Sequence, residues 1–473
     1  MENVTKIRPT TPSATSIRIP PPLDPSFRPA GRARKALEER IHASGLGVPV
    51  TLAVEQPGGT VSRHATVAWP DGHPEAARSH HHAERLLKTL LWARGGHRVH
   101  VDGPGDLVKE LRRHHADDPT GQFDARIMAE IYLRPLEIVQ TPRAEMPASR
   151  GMTTRLGGHL DGCRIGFDLG ASDRKVAAVI DGAVVFSEEV PWDPATHDDP
   201  QWHYDQLDDL LCRAAGHLPR VDAISGSAAG AYVDNEVRVA SLFRAVPRDR
   251  FEARVRGLFH ELRRAWGDVP FVVVNDGEVT ALAGSMAAGT GGLLGIAMGS
   301  SQAAGYVTRE GTLTSWLDEL AFVPVDDAPG APADEWSGDR GCGVQYFSQQ
   351  AVGRLLGPAG IEVDASCPLP ERLVHLQDRM AAGDGPAATV YETIGVYLGY
   401  ALLDYRDLYD FEHVLLLGRV LIGVGGDVIA ERARAVLRAE DPAAHEGIAF
   451  HAPSERDKRH GQAVAAASLP ALG

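Results

Sequence analysis

Twice in this chain a strand runs into a turn of small residues and returns as a second strand. The first unit reads CRIGFDLGASDRKVAAVI, with its turn at Gly170-Ala171-Ser172. The second reads LLGIAMGSSQAAGYV, with its turn at Gly299-Ser300-Ser301. Between them Val274-Asn275-Asp276 carries a strand straight into the helix Glu278–Ala288. Near the end, HVLLLGRVLIGVGGDVIAERARAVL is a strand, a Gly-rich loop and a helix. Small residues at a hairpin tip let backbone N–H groups approach an oxyanion. One such turn is weak grounds for a site, because most Gly-rich turns only turn. Two that bracket a strand-end Asp predict tips that face each other and clamp a triphosphate.

The bulk properties set the frame. A chain of 473 residues is too long for one core, so two or three domains are expected. Its 43% hydrophobic and 23% charged content is that of a globular protein. No apolar run approaches the roughly 18 residues of a membrane span, and no membrane partner is expected. The net charge of −15 argues against non-specific nucleic-acid binding. Cys163, Cys212, Cys342 and Cys367 form no CxxC pair, which fits a reducing, cytoplasmic compartment. Residues 1–31 read as a disordered, Pro-rich leader. Residues 32–140 read as a small α/β domain, 141–160 as a linker, and 161–473 as the part that carries the motifs. Asp181-Gly182 predicts a two-residue hairpin turn.

The four segments together resemble the ROK (repressor, open reading frame, kinase) family of the actin-like ATPase superfamily. Asp168-Leu169-Gly170-Ala171-Ser172-Asp173 is similar to its first phosphate motif, DxGGTK. Asn275-Asp276 with its helix resembles NDANAAALAE, and Gly299-Ser300-Ser301 with Gly305 resembles GTGxGxG. Gly418, Gly423, Gly425 and Gly426 are similar to its adenosine loop. The resemblance implies a two-lobed α/β fold, 161–285 and 286–473, with a five-stranded mixed sheet in each lobe. It implies ATP as co-substrate, Mg²⁺ held through water by Asp168, and Asp276 as general base toward a substrate hydroxyl. Asn275 and Glu319 would touch that substrate. Gly170, Ala171, Ser172, Lys175, Gly299, Ser300 and Ser301 would hold phosphates, and the four late glycines would line the adenosine site. The partner is then a sugar, sugar derivative or cyclitol; a homodimer is compatible with this reading.

The departures from the pattern bear on the substrate. Asp173 stands where the family has Lys, and Lys175 is on the same face of the strand. In DELAFVP, Glu319 is kept, but Phe322 replaces the sugar-binding His. Glu335 and Ser337 fall where zinc cysteines would be, beside the one remaining Cys342, and Val344 replaces a second Glu. One thiol cannot make a tetrahedral zinc site, so no structural zinc is expected. Besides the kinase, the sequence leaves open a ROK-like sugar or nucleotide sensor with weak or no kinase activity. A transcriptional repressor, or an actin-like ATPase acting on a protein, rank below both.

Overall fold

The computed structural model describes residues 17–151, 155–364, 366–452 and 461–472. The first lobe is built on strands β5 (Cys163–Leu169), β6 (Asp173–Ile180), β7 (Ala183–Pro191), β8 (Ala223–Ala228) and β11 (Phe271–Asn275). They form the expected five-stranded mixed sheet, in the order β11-β8-β5-β6-β7. β5, β6 and β7 are an antiparallel meander, and β8 and β11 run parallel to β5. β5 is buried along its whole length, as a central strand covered on both faces must be. Asp181 and Gly182 both take positive φ (47° and 80°), the geometry of the predicted hairpin turn. A short ribbon, β9 (Ala231–Val233) and β10 (Glu236–Val239), packs on β11 and helix α7 (Leu258–Ala265), and helices α5 (Pro200–Ala215) and α6 (Arg248–Arg250) belong to the same lobe.

The second lobe holds β12 (Leu293–Met298), β13 (Gln302–Val307), β14 (His413–Leu417) and β15 (Ala449–His451). Among the described residues this sheet has four strands, ordered β13-β12-β14-β15, where five were expected. Helix α8 (Asp276–Ala288) links the lobes. Helices α9 (Gln349–Leu356), α10 (Leu369–Ala381), α11 (Gly385–Tyr405), α12 (Val424–Glu440) and α13 (Pro442–Gly447) belong to this lobe. α11 is buried for most of its length and packs on α12 and α10. The chain does not stay in the second lobe to its end. Helix α14 (Gln462–Ala467) returns to the first-lobe sheet. There Ser225 donates to the Ala466 carbonyl (2.6 Å), and buried Arg164 donates to the Pro470 carbonyl (2.7 Å). Gly166 has no room for a Cβ, which would strike the Ala463 carbonyl.

Ahead of the lobes come α1 (Ala30–Ser44), β1 (Val48–Glu55), β2 (Val61–Ala68), α2 (Ala76–Arg94), β3 (Arg98–Asp102), α3 (Gly105–Asp117), α4 (Pro119–Tyr132) and β4 (Glu137–Gln140). Their sheet runs β2-β1-β3-β4. It is not a body apart. Val50, Leu52, Leu87 and Leu91 share one hydrophobic core with Tyr306, Leu320, Val323 and Tyr409 of the second lobe. α4 also packs against β9 and β10 of the first lobe, so this region touches both lobes.

The leader also departs from expectation. Residues 1–16 lie outside the described residues, but from Ile17 onward the chain is laid along α11. Phe27 is buried among Tyr346, Tyr397 and Tyr400, with ring centroids 4.7–6.2 Å away. Asp24 accepts the Tyr397 hydroxyl (2.7 Å). One aromatic ring in a Pro-rich stretch finds a pocket that only the folded second lobe supplies. Phe27→Ala should therefore lower stability by about 3–5 kcal/mol, the usual cost of removing a buried phenyl ring. A urea midpoint equal to that of the wild type would show that the leader is not part of the core.

Candidate active site

Asn275 and Asp276 sit where β11 becomes α8, and they divide the work. Asn275 is the helix cap: its side chain accepts the Gly277 N–H (2.7 Å), and its own N–H is taken by Glu278 (3.0 Å), a capping box. Its amide nitrogen donates to the Gly230 carbonyl (2.8 Å). Asn275 is thus tied into the scaffold on both sides. The Asp276 carboxylate, at the first helical position, accepts from the neighbouring Gly277 N–H (3.0 Å) and, among the described residues, from no side chain. Burial and the charge of Asp168 push its pKa up to about 6. Gly277 and Gly305 let the helix start lie directly on β13, since a Cβ on either would strike backbone of the other segment.

Asp168 ends β5 and is buried, accepting from Ser227 (2.6 Å). Lys175 lies directly across the β5–β6 ladder from it. The Lys175 ammonium reaches Asp173 (3.2 Å) and Asp168 (3.9 Å), so the positive charge expected near this turn is present. The turn is pinned from behind. Trp192 donates its ring N–H to the Gly170 carbonyl (2.8 Å) and its backbone N–H to the Ser172 carbonyl (3.1 Å). Ala171 and Ser172 are left exposed, as are Ser300 and Ser301 at the second tip. Both tips therefore present small residues outward, as phosphate cradles do.

The late glycines separate into two pairs. Gly418 (φ 104°) is pressed against Met298 at the base of the second tip, and Gly423 has φ 76°. Both line an open cavity of about 1000 Å³, with Thr280, Gly284, Leu417, Ile422 and His451. Gly425 and Gly426, expected in the same lining, turn away from it. A Cβ on Gly425 would strike the Tyr391 ring of α11, and one on Gly426 the Leu421 carbonyl. These two serve helix packing instead.

Glu319 is placed by a part of the chain that motif reading had left without a role. The last turn of α2 offers three carbonyls in succession. Arg94, Ala93 and Trp92 accept the N–H groups of Leu317 (3.3 Å), Asp318 (3.1 Å) and Glu319 (3.0 Å). Gln56 donates to both the Arg94 and Ser315 carbonyls (2.8 and 2.7 Å). Asp318 takes a left-handed φ of 53°, which Asp tolerates better than most residues. Its carboxylate accepts from Tyr409 (2.9 Å). Burial raises Asp318 to about 6. Burial, with the charges of Asp276 and Asp318, raises Glu319 to about 7. Phe322 turns onto Trp92 (4.1 Å between ring centroids) and Phe123 (5.7 Å), so rings from α2 and α4 cover this side of the Glu319 loop. Tyr132, at the end of α4, is buried, and burial raises its pKa, with the charges of Asp318 and Glu278 adding.

The loop around Cys342 is held by side chains of α2. Lys88, fully buried, pairs with Asp124 (2.8 Å) and Asp339 (3.1 Å), and Arg85 pairs with Asp339 (2.9 Å). Cys342 lies near Lys88, with its thiol pushed by burial up to about 12. Glu335 is exposed, and Ser337 donates to Asp334 (2.7 Å).

No protein-family model matches the sequence, and no curated protein matches it. Solved structures do. A ROK hexokinase from Thermus thermophilus aligns over 64% of this chain and 97% of its own, with 20% identity and a TM-score of 0.50. The chain has the fold of the ROK proteins. A ROK-family transcriptional regulator, a homologue of the E. coli MLC protein, aligns over 76% of this chain and 87% of its own, at 18% identity and a TM-score of 0.51.

Two measurements follow from this geometry. A carboxyl whose folded pKa is raised binds more protons folded than unfolded, so its contribution to stability is lost as pH rises. For Glu319 that window runs from its ordinary range up to about 7. Glu319→Gln should melt roughly 2 °C or more above wild type at pH 8, and the difference should shrink toward pH 5. Equal melting at pH 8 would show that Glu319 is solvated. Gly425→Val should lower melting temperature without any nucleotide present, because the clash is with Tyr391; an unchanged melting temperature would restore Gly425 to the cavity.

Proposed function

We propose that the chain is an ATP-dependent kinase of a hydroxyl on a sugar, a sugar derivative or a cyclitol. The observation that carries this reading is Asp276. It is a carboxylate at a helix N-terminus, without a side-chain partner, partly desolvated and beside Asp168. A carboxylate raised to about 6 is a stronger base than a solvated Asp, yet mostly ionised above neutral pH. Placed against an acceptor hydroxyl, it takes the proton as the oxygen attacks a γ-phosphate.

The rest of the cleft has matching roles. Gly170, Ala171 and Ser172 on one side, and Gly299, Ser300 and Ser301 on the other, offer N–H and hydroxyl donors to phosphates, with Lys175 adding charge. Gly418 and Gly423 leave room for adenosine in the cavity beside α8. Glu319, when ionised, accepts from a substrate hydroxyl. Asp168 raises the pKa of Asp276, and a magnesium ion carried by the triphosphate fits the negative charge that Lys175 only partly offsets. Hard cations of this kind bind through one or two carboxylates plus phosphate oxygens. Bound Mg²⁺ would neutralise charge on the transferring phosphoryl group.

A sensor that binds sugar or nucleotide without turnover is the second reading. The Trp92–Phe322 stack favours it, because a substrate hydroxyl on that side loses a polar partner.

The experiment is an ADP-release screen with magnesium over sugars, aminosugars, heptoses and cyclitols, followed by variants on the substrate found. Asp276→Asn should cost on the order of 10²–10⁴-fold in turnover without lowering the melting temperature, and above about pH 6 it should raise it, since the raised pKa of Asp276 makes its charge destabilising there. Asn275→Ala should instead lower stability by about 1 kcal/mol, since Asn275 is the cap. Turnover should fall as pH drops below about 6, where Asp276 takes up a proton. Wild-type turnover by Asp276→Asn would remove Asp276 from the reaction. No ADP release with any acceptor, alongside measurable nucleotide binding, would select the sensor.

A further inference from the structure

The carbonyl of Arg94 faces the Leu317 N–H, but its side chain goes the other way. The guanidinium lies flat on Trp316, 3.3 Å from the ring centroid, and 4.9 Å from that of Tyr409. Arg94 is 8% exposed, and its Nη1, shut off from solvent, has no hydrogen-bond partner among the described residues. Aromatic contacts satisfy the face of a guanidinium and leave its in-plane N–H groups unused. A buried cation without a counter-charge is costly. Burial lowers the Arg94 pKa, and Asp318 and the tyrosines only partly offset this; no carboxylate forms an ion pair with it among the described residues.

Arg94 lines a cavity of about 280 Å³ between β2, the end of α2 and the second lobe. Ser62, His64, Leu90 and Arg150 share the lining. The one carboxylate there, Asp407, is engaged by Arg34 (2.8 Å) and Lys35 (3.0 Å). A further hollow of about 510 Å³ adjoins it at Gly151 and Trp316, lined by Arg155 and Arg309 and also by Glu310 and Asp410; the first cavity, with Arg63, Arg94 and Arg150, carries the positive charge. The cavity is therefore cationic, partly apolar and roomier than a bare ion needs. None of its lining residues lines the nucleotide cavity.

We propose that this cavity is a second site, which takes a phosphate group borne on a small molecule and holds it on the edge of the Arg94 guanidinium. Planar, paired N–H donors match a phosphate bidentately, and the apolar walls leave space for the body of the molecule. The site abuts the loop that presents Glu319, through the Arg94 carbonyl.

The test is calorimetric titration of the full chain with inorganic phosphate, against sodium chloride of equal ionic strength and without nucleotide. It does not depend on kinase activity. Saturable binding is expected in wild type. Arg94→Met should weaken it roughly tenfold or more. Ser62→Glu, at a half-buried rim position, should abolish it by placing a like charge in the cavity, and it decides the matter if Arg94→Met does not fold. Absence of saturable binding in wild type overturns the proposal. So does binding that survives Ser62→Glu or a folded Arg94→Met, which would put the phosphate on the Gly/Ser tips instead.

Discussion

The end of a helix leaves carbonyls that must find donors, and in this protein they find the loop that carries Glu319. Three carbonyls of α2 accept three consecutive N–H groups, from Leu317 to Glu319. Much else follows from that docking. It puts Trp92 under Phe322, brings Tyr132 close to Asp318 and Glu278, and shields the carboxyls from water. It also sets the partial negative charge of a helix C-terminus beside acids that are already hard to ionise. The amino-terminal region is thus a wall of the cleft as well as an appendage to it.

Charge is distributed unevenly around that wall. Asp168, Asp276, Glu278, Asp318 and Glu319 gather near the cleft, each with its pKa raised by burial. Two cations of α2 are committed elsewhere. Arg85 and Lys88 hold Asp339 and Asp124, and together they tie down the loop around Cys342. Burial alone would lower the Lys88 pKa, but Asp124 and Asp339 outweigh it and keep the ammonium charged. Breaking such a pair strands a buried charge, so this loop and α2 are bound to each other. The cleft itself retains Lys175 and a surplus of negative charge, a setting suited to a ligand that arrives with its own cation.

Close backbone approach is the other recurring device. Gly277 and Gly305 seat α8 on β13, Gly418 seats the late loop on the second hairpin, and Gly425 seats α12 on α11. Each allows two segments to come nearer than a Cβ permits. At Gly418 the result is an open cavity; at Gly425 it is a closed helix pair.

Much of the first lobe was legible along the chain. The Gly turn marked β5 and β6 as a pair of strands, the Asp181-Gly182 pair marked the next hairpin, and Asp276 could be placed at a strand-to-helix junction, because these features are local in sequence. The two exposed tips were legible for the same reason, since small residues at a turn declare themselves. What the sequence could not determine was which neighbour each residue would meet. Gly425 and Gly423 look alike in a Gly-rich loop, and only the position of Tyr391 separates them. Phe27 reads as part of a disordered leader until the rings of α11 surround it. Trp92 carries no motif, and it comes to the cleft through hydrogen bonds between segments more than two hundred residues apart. Periodicity and turn chemistry determine elements; tertiary packing decides which helix end finds which loop, because carbonyl–amide pairing between distant segments leaves no pattern in either one.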